Sequence, residues 1–137
     1  MNNDIFKLKE LESLVGHRFN DPNVLKQALT HASLERSSWN VYERLEFLGD
    51  RVLGLVVSET LLKRFPNERE GQISRRYANL VKRDSLAVVA RKIKFGDYLL
   101  ISAGEEAAGA RESVTILSDA LEAVSYTHLT LPTSSQV

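Results

Sequence analysis

The sequence predicts an all-α fold. Three observations lead there. Apolar side chains recur every three or four residues in one stretch after another, the spacing of helices with a buried face. Helix starts and stops stand between those stretches, at Gly16, Asp21-Pro22 and Phe65-Pro66-Asn67. One run, Tyr42 to Val57, is apolar around most of a helical circumference, as a buried central helix is.

Taken in order, Ile5, Leu8, Leu11, Leu14 and Val15 form the stripe of a first helix that ends near Gly16. Asp21 caps a second helix with Pro22 in its first turn, and Val24, Leu25, Ala28 and Leu29 face inward. His31 at its end reads as a helix-terminal hydrogen-bonding group. Residues 32–41 read as a loop, with Trp39 exposed or facing a partner. The third helix spans about Val41 to Lys63. Gly49 and Gly54 inside it each weaken it by about 1 kcal/mol relative to Ala, which points to close approach of another backbone. Gln72 to Val81 and Ser85 to Lys92 are two helices or one bent helix, with Ile73, Leu80, Val81, Leu86, Val89 and Ala90 inward. Residues 94–110 are loop-like. Arg111 to Val124 closes the set, with Val114, Leu117, Leu121 and Val124 on its inner stripe.

Within the third helix, Glu43, Glu46 and Asp50 stand at i, i+3 and i+7, within roughly 60° of one another. Leu45, Leu48, Val52, Leu55 and Val56 lie opposite. Two such charges about 4 Å apart repel by roughly 4 kcal/mol at an effective dielectric near 20. Protonation, basic partners or a shared metal must offset this. Arg44 and Arg51 point at least a quarter-turn away. A hard divalent cation such as Mg²⁺ suits carboxylate oxygens. Asp119 and Glu122 form a second acidic pair. If the two helices face each other, four or five carboxylates can hold one or two Mg²⁺ ions, activate water and stabilise a phosphate under attack.

Composition narrows the alternatives. The 137 residues allow one domain. The absence of Cys excludes disulfides, zinc thiolates and a Cys nucleophile. No apolar run is long enough to span a membrane and no signal-peptide core stands at the N-terminus, so a cytoplasmic protein without a membrane partner is expected. Net charge is zero but uneven: residues 60–100 carry 10 basic and 4 acidic side chains, and 101–137 carry 1 and 5. Arg75, Arg76, Lys82 and Arg83 fall in the basic third. Without an aromatic ladder among them, contact with backbone phosphates is the natural nucleic-acid reading. A di-iron bundle is disfavoured, because no Glu-x-x-His pair occurs.

The run ERLEFLGDRVL, residues 43–53, resembles the signature of the ribonuclease III endonuclease domain. Thr30-His31-Ala32-Ser33, Phe65-Pro66, Glu70-Gly71, Leu80-Val81 and the second acidic motif Ile116 to Ala123 fall at matching places, so the likeness covers roughly residues 5–124. It implies the helical fold of that domain and a homodimeric, Mg²⁺-dependent endoribonuclease, with Mn²⁺ as a substitute. The substrate would be double-stranded RNA, such as rRNA and other precursors. The products would carry 5′-phosphate and 3′-hydroxyl ends with a short 3′ overhang. By that resemblance Glu46, Asp50, Asp119 and Glu122 bind metal. Asp50 and Glu122 are catalytic, Glu43 and Glu70 support the site and its RNA contact, and Phe47 enters a pocket of the partner. An inactive dimeric RNA-binding relative is the alternative, and retention of all the acids argues against it.

Departures from the family pattern lie at Tyr42 (usually Asn), at Tyr77 (usually Arg), in Ala107-Ala108-Gly109-Ala110 (usually Lys-rich with two glycines) and at Ser113 (often basic). These bear on RNA affinity. From Ser125 the sequence SYTHLTLPTSSQV leaves the family pattern and holds Pro132, so residues 1–124 are expected to be an incomplete endonuclease domain and 125–137 a non-native tail. Missing closing helices would expose apolar surface and lower stability by several kcal/mol, at roughly 25 cal/mol per Å².

Overall fold

The computed structural model describes residues 2–34 and 39–127, with side chains described for 7–34 and 42–127. Seven α-helices follow one another among the described residues: α1 (Asn2–Val15), α2 (Pro22–Leu29), α3 (Trp39–Arg64), α4 (Glu70–Val81), α5 (Arg83–Lys92), α6 (Ala103–Ala107) and α7 (Val114–Thr127). Short 3₁₀ turns lie at Phe95–Tyr98 and Ala110–Glu112. The expected all-α architecture is therefore present. The side chain of Trp39 and residues 128–137 lie outside the described set, although α7 continues three residues past Val124.

Local chemistry sets several boundaries. The Asp21 carboxylate accepts from the amides of Asn23 (2.9 Å) and Val24 (3.5 Å), capping α2 as its sequence position indicates. The chain breaks at Lys82, whose extended backbone makes α4 and α5 two helices rather than one bent helix. Ordered structure fills the segment read as a loop. Phe95, Leu99 and Ile101 are buried there, and Leu100 pairs with α2's end through His31 N to Leu100 O (2.8 Å) and Leu100 N to Leu29 O (2.9 Å).

The central helix is α7, a correction to the expectation for α3. Leu117, Ser118, Ala120, Ala123 and Val124 are all buried, and α7 packs on α2, α3 and α5. Its small residues leave room for neighbouring backbones. Around it close Leu11, Phe19, Leu25, Leu29, Leu86, Ala87, Ala90 and Phe95. By contrast α3 buries Tyr42 and Leu61 but leaves one long side open. Leu48, Leu55 and Leu62, seven residues apart, are exposed, as are Phe47 and Val56. The physical reason is orientation: α3 turns the side bearing Tyr42, Glu46 and Gly49 onto α7, so the apolar side opposite finds no cover within one chain. Leu80 and Val89, expected inside, are also half exposed, whereas Leu86 and Ala90 are buried as expected.

Candidate metal centre

Two helices build the site. From α3 comes Glu46; from α7, one turn apart, come Asp119 and Glu122. A carboxylate oxygen of each lies within 4.8 Å of the others, and all three side chains are half-buried. The convergence depends on how closely the helices pack. Gly49, one turn after Glu46, lies against the Glu122 carbonyl, where any Cβ would collide with backbone. The close approach read from this glycine is thus real, and its partner is the helix bearing the second acidic pair.

Holding three acids in a half-buried space is electrostatically unfavourable, and their protonation equilibria register it. The Glu46 carboxyl is pushed up to about 7, by burial first and then by the charge of Asp119 and a hydrogen bond with it. Glu122 is also pushed up to about 7, by burial first and then by Asp50, Glu46 and Asp119. Asp119 sits above the usual carboxylate range through burial, with Arg83 opposing. The donor set is all oxygen and carries excess negative charge, which fits a hard divalent cation such as Mg²⁺ or Mn²⁺.

Other residues singled out from the sequence are less concentrated. Asp50 is not one of the three converging carboxylates; its Oδ2 accepts from Arg51 Nη1 at 2.8 Å on the surface, although its charge reaches Glu122. Glu43 is exposed beside Glu46 and raises it. Glu70 is exposed in the first turn of α4. Phe47 points outward, 60% exposed, with the Arg51 guanidinium 3.9 Å above its ring. Among the basic residues, Arg75 and Lys82 are exposed. Arg76 is committed to a two-pronged pair with Glu68, at 2.7 and 2.8 Å, and stacks on Phe65. His31 hydrogen-bonds Ser33 at 2.8 Å, the local role its position suggested.

Two members of the environment escape a reading by sequence spacing. Arg83, placed among phosphate-binding cations, reaches the Asp119 carboxylate at 3.7 Å and Thr115 Oγ1 at 3.5 Å. Nothing local to residues 82–84 signals a partner more than thirty residues away. Tyr42 is buried on α3 one turn before Glu46, and its phenol is held neutral by burial and by Asp119, Glu46 and Glu122. Its i, i+4 relation to Glu46 was the available signal.

Comparison with known proteins agrees with this geometry. The family model described as Ribonuclease-III-like matches residues 21–125. Ribonuclease 3 of Histophilus somni is 46% identical over 118 residues, covering 86% of this chain and 52% of the relative. Ribonuclease 3 of Dinoroseobacter shibae is 48% identical over 110 residues, 80% of this chain and 48% of that one. The chain spans about half the length of these curated relatives. A structure of the ribonuclease III nuclease domain from Campylobacter jejuni, described for flexibility in a region involved in dimer formation, superposes with a TM-score of 0.77 at 46% identity, covering 89% of this chain and 82% of the other. A match over most of the chain in sequence and in structure, centred on helices that bring three acids together, means that this protein belongs to the ribonuclease III family.

Proposed function

We propose that the protein is a divalent-metal-dependent endoribonuclease that cleaves double-stranded RNA as a homodimer in the cytoplasm, processing RNA precursors. The observation that carries this reading is the convergence of Glu46, Asp119 and Glu122 from two helices. A divalent ion such as Mg²⁺ or Mn²⁺ held there would supply Lewis-acid chemistry for activating water and the phosphate. The chain's own groups do the rest. Glu46, Asp119 and Glu122 hold the ion. Asp50, one turn from Glu46, would join them, since its exposed pair with Arg51 is worth only about 0–1 kcal/mol. Glu43, exposed beside Glu46, and Glu70, exposed at the start of α4, would order the approach of the RNA. Arg75 and Lys82 attract backbone phosphates, as duplex RNA is read by shape and backbone. Water attack at phosphorus with departure of the 3′ oxygen leaves 5′-phosphate and 3′-hydroxyl ends.

The dimer reading rests on the open side of α3. Phe47, Leu48, Leu55 and Leu62 form an apolar surface that a second copy would cover. A groove of about 500 Å³ beside it, lined by Val56, Leu61, Phe65 and Leu80 among others, offers a receptor for the partner's Phe47. We further propose that residues 1–124 are the endonuclease unit and that 125–137, where the character of the sequence changes, are a non-native tail.

Cleavage of a long RNA duplex tests the function. Mg²⁺-dependent production of short duplexes with 5′-phosphate ends is expected, lost in Glu122→Gln and Asp50→Asn. Tight duplex binding without cleavage at any metal concentration would favour the binding-only relative.

A further inference from the structure

The carboxylate cluster already has a cation of its own. Arg83 opens α5, and its Nη2 lies 3.7 Å from Asp119 Oδ1 while Nη1 reaches Thr115 Oγ1 at 3.5 Å. The Arg83 side chain is 58% exposed and that of Asp119 22%, so the arginine stands at the solvent edge of the cluster. Its charge also acts on Glu46 and Glu122, not on Asp119 alone. Among the described basic residues it is the one whose charge favours the ionised form of all three acids.

We propose that Arg83 is an exchangeable counter-cation. It occupies the mouth of the cluster while no metal is bound and swings out when a divalent ion enters. This rests on the metal-site reading above and adds a competitor to it. The geometry suits exchange rather than permanent pairing. The contact is long, single-pronged and half in water, so the arginine gives way to an ion of twice its charge. A permanent partner would resemble the two-pronged Arg76–Glu68 pair at 2.7 and 2.8 Å. The exchange keeps the acids from repelling α3 and α7 apart before metal arrives. It also sets metal affinity below what the bare carboxylates would give.

The test is titration of the full chain with Mg²⁺ and with Mn²⁺ by calorimetry, for wild type, Arg83→Gln, Arg83→Lys and Glu122→Gln. Removing the competing charge should tighten metal binding about 3- to 10-fold in Arg83→Gln at a pH above the titration of the cluster, about pH 8. Arg83→Lys keeps the charge and should stay near wild type. In wild type the Arg83 Nε–H resonance should shift as metal is added. A merely structural staple between α5 and α7 would give the opposite sign, since loosening it weakens the site. Unchanged or weaker binding in Arg83→Gln, with wild type still binding more tightly than Glu122→Gln, overturns the counter-cation and leaves the metal site standing. If wild type binds no better than Glu122→Gln, the metal site falls, and the assignment of Arg83 with it.

Discussion

Gly49 of α3 and Glu122 of α7 touch backbone to carbonyl, with no space for a methyl group between them. Packing and chemistry meet at this contact, because the residue carrying the carbonyl also carries one of the three converging carboxylates. Substituting Gly49 by Ala gains about 1 kcal/mol of helix propensity. It also drives a Cβ into backbone atoms that cannot rotate away, and overpacking of that kind costs about 1–3 kcal/mol or more. The clash wins. Denaturant unfolding should show Gly49→Ala less stable, and its metal affinity should drop because Glu46 is pushed from its partners. A variant as stable as wild type would mean that α3 and α7 are not held this closely.

The raised carboxyls couple stability to pH in a direction opposite to that of ordinary surface acids. Glu46 and Glu122 titrate at about 7 in the folded chain, against 4.5 as reference. Between those values the folded state binds more protons than the unfolded state. Their contribution is therefore complete below about pH 4.5 and is lost as pH rises through about 7. With the discount due to partly solvated groups, each is worth on the order of 1 kcal/mol, or a few degrees of Tm. The metal-free chain in chelator should melt lower at about pH 8 than at about pH 5.5, Glu122→Gln should flatten that slope, and Mg²⁺ should restore stability at high pH. A wild-type slope identical to that of Glu122→Gln would show that the Glu122 carboxyl is not raised in the folded chain.

Arg75 and Arg76 are adjacent in sequence and differ in availability. The Arg76 guanidinium is engaged by Glu68 and the Phe65 ring, while Arg75 is exposed with no ion pair among the described residues. Removing one phosphate-binding cation lowers the salt dependence of binding by roughly one unit of logarithmic slope. Arg75→Ala should weaken duplex RNA binding and reduce that slope by about 1. Arg76→Ala should change it less and instead lower stability. Binding can be followed by anisotropy across a salt series in chelator, where no cleavage competes.

The helices were legible because their signals are local: a capped start at Asp21-Pro22, a stop at Phe65-Pro66, and stripes three and four residues apart. The two acidic motifs were legible for the same reason, and the glycine at 49 announced a close neighbour. Which helix occupies the centre was not legible. Apolar content alone cannot separate a helix buried on all sides within its own chain from one that leaves an apolar side uncovered, and α3 is the second kind. The small residues Ser118, Ala120 and Ala123 marked α7 as the helix that others approach closely, a feature that counting large apolar side chains overlooks. Arg83 stood out as one cation among ten in its stretch, and only the packing of α5 on α7 gives it a partner.

That open side of α3 yields the last prediction. Leu48, Leu55 and Leu62 recur at seven-residue intervals, and Phe47 flanks them at 60% exposure. Leaving these side chains in water forgoes about 1.5–3 kcal/mol for each that could be fully buried. Association of two copies would recover part of it. An aromatic anchor that fills a pocket is the usual energetic centre of such a surface, worth about 2 kcal/mol or more on truncation. Phe47→Ala should therefore raise the dimer dissociation constant by about 30-fold or more, and Leu55→Glu should abolish association by setting a charge in the apolar stripe. Neither residue belongs to the carboxylate cluster, so metal binding per chain should persist in both variants. Sedimentation across a concentration range measures the association. A wild-type chain that stays monomeric at high concentration, with its α3 side still open, would remove the homodimer from the proposed function.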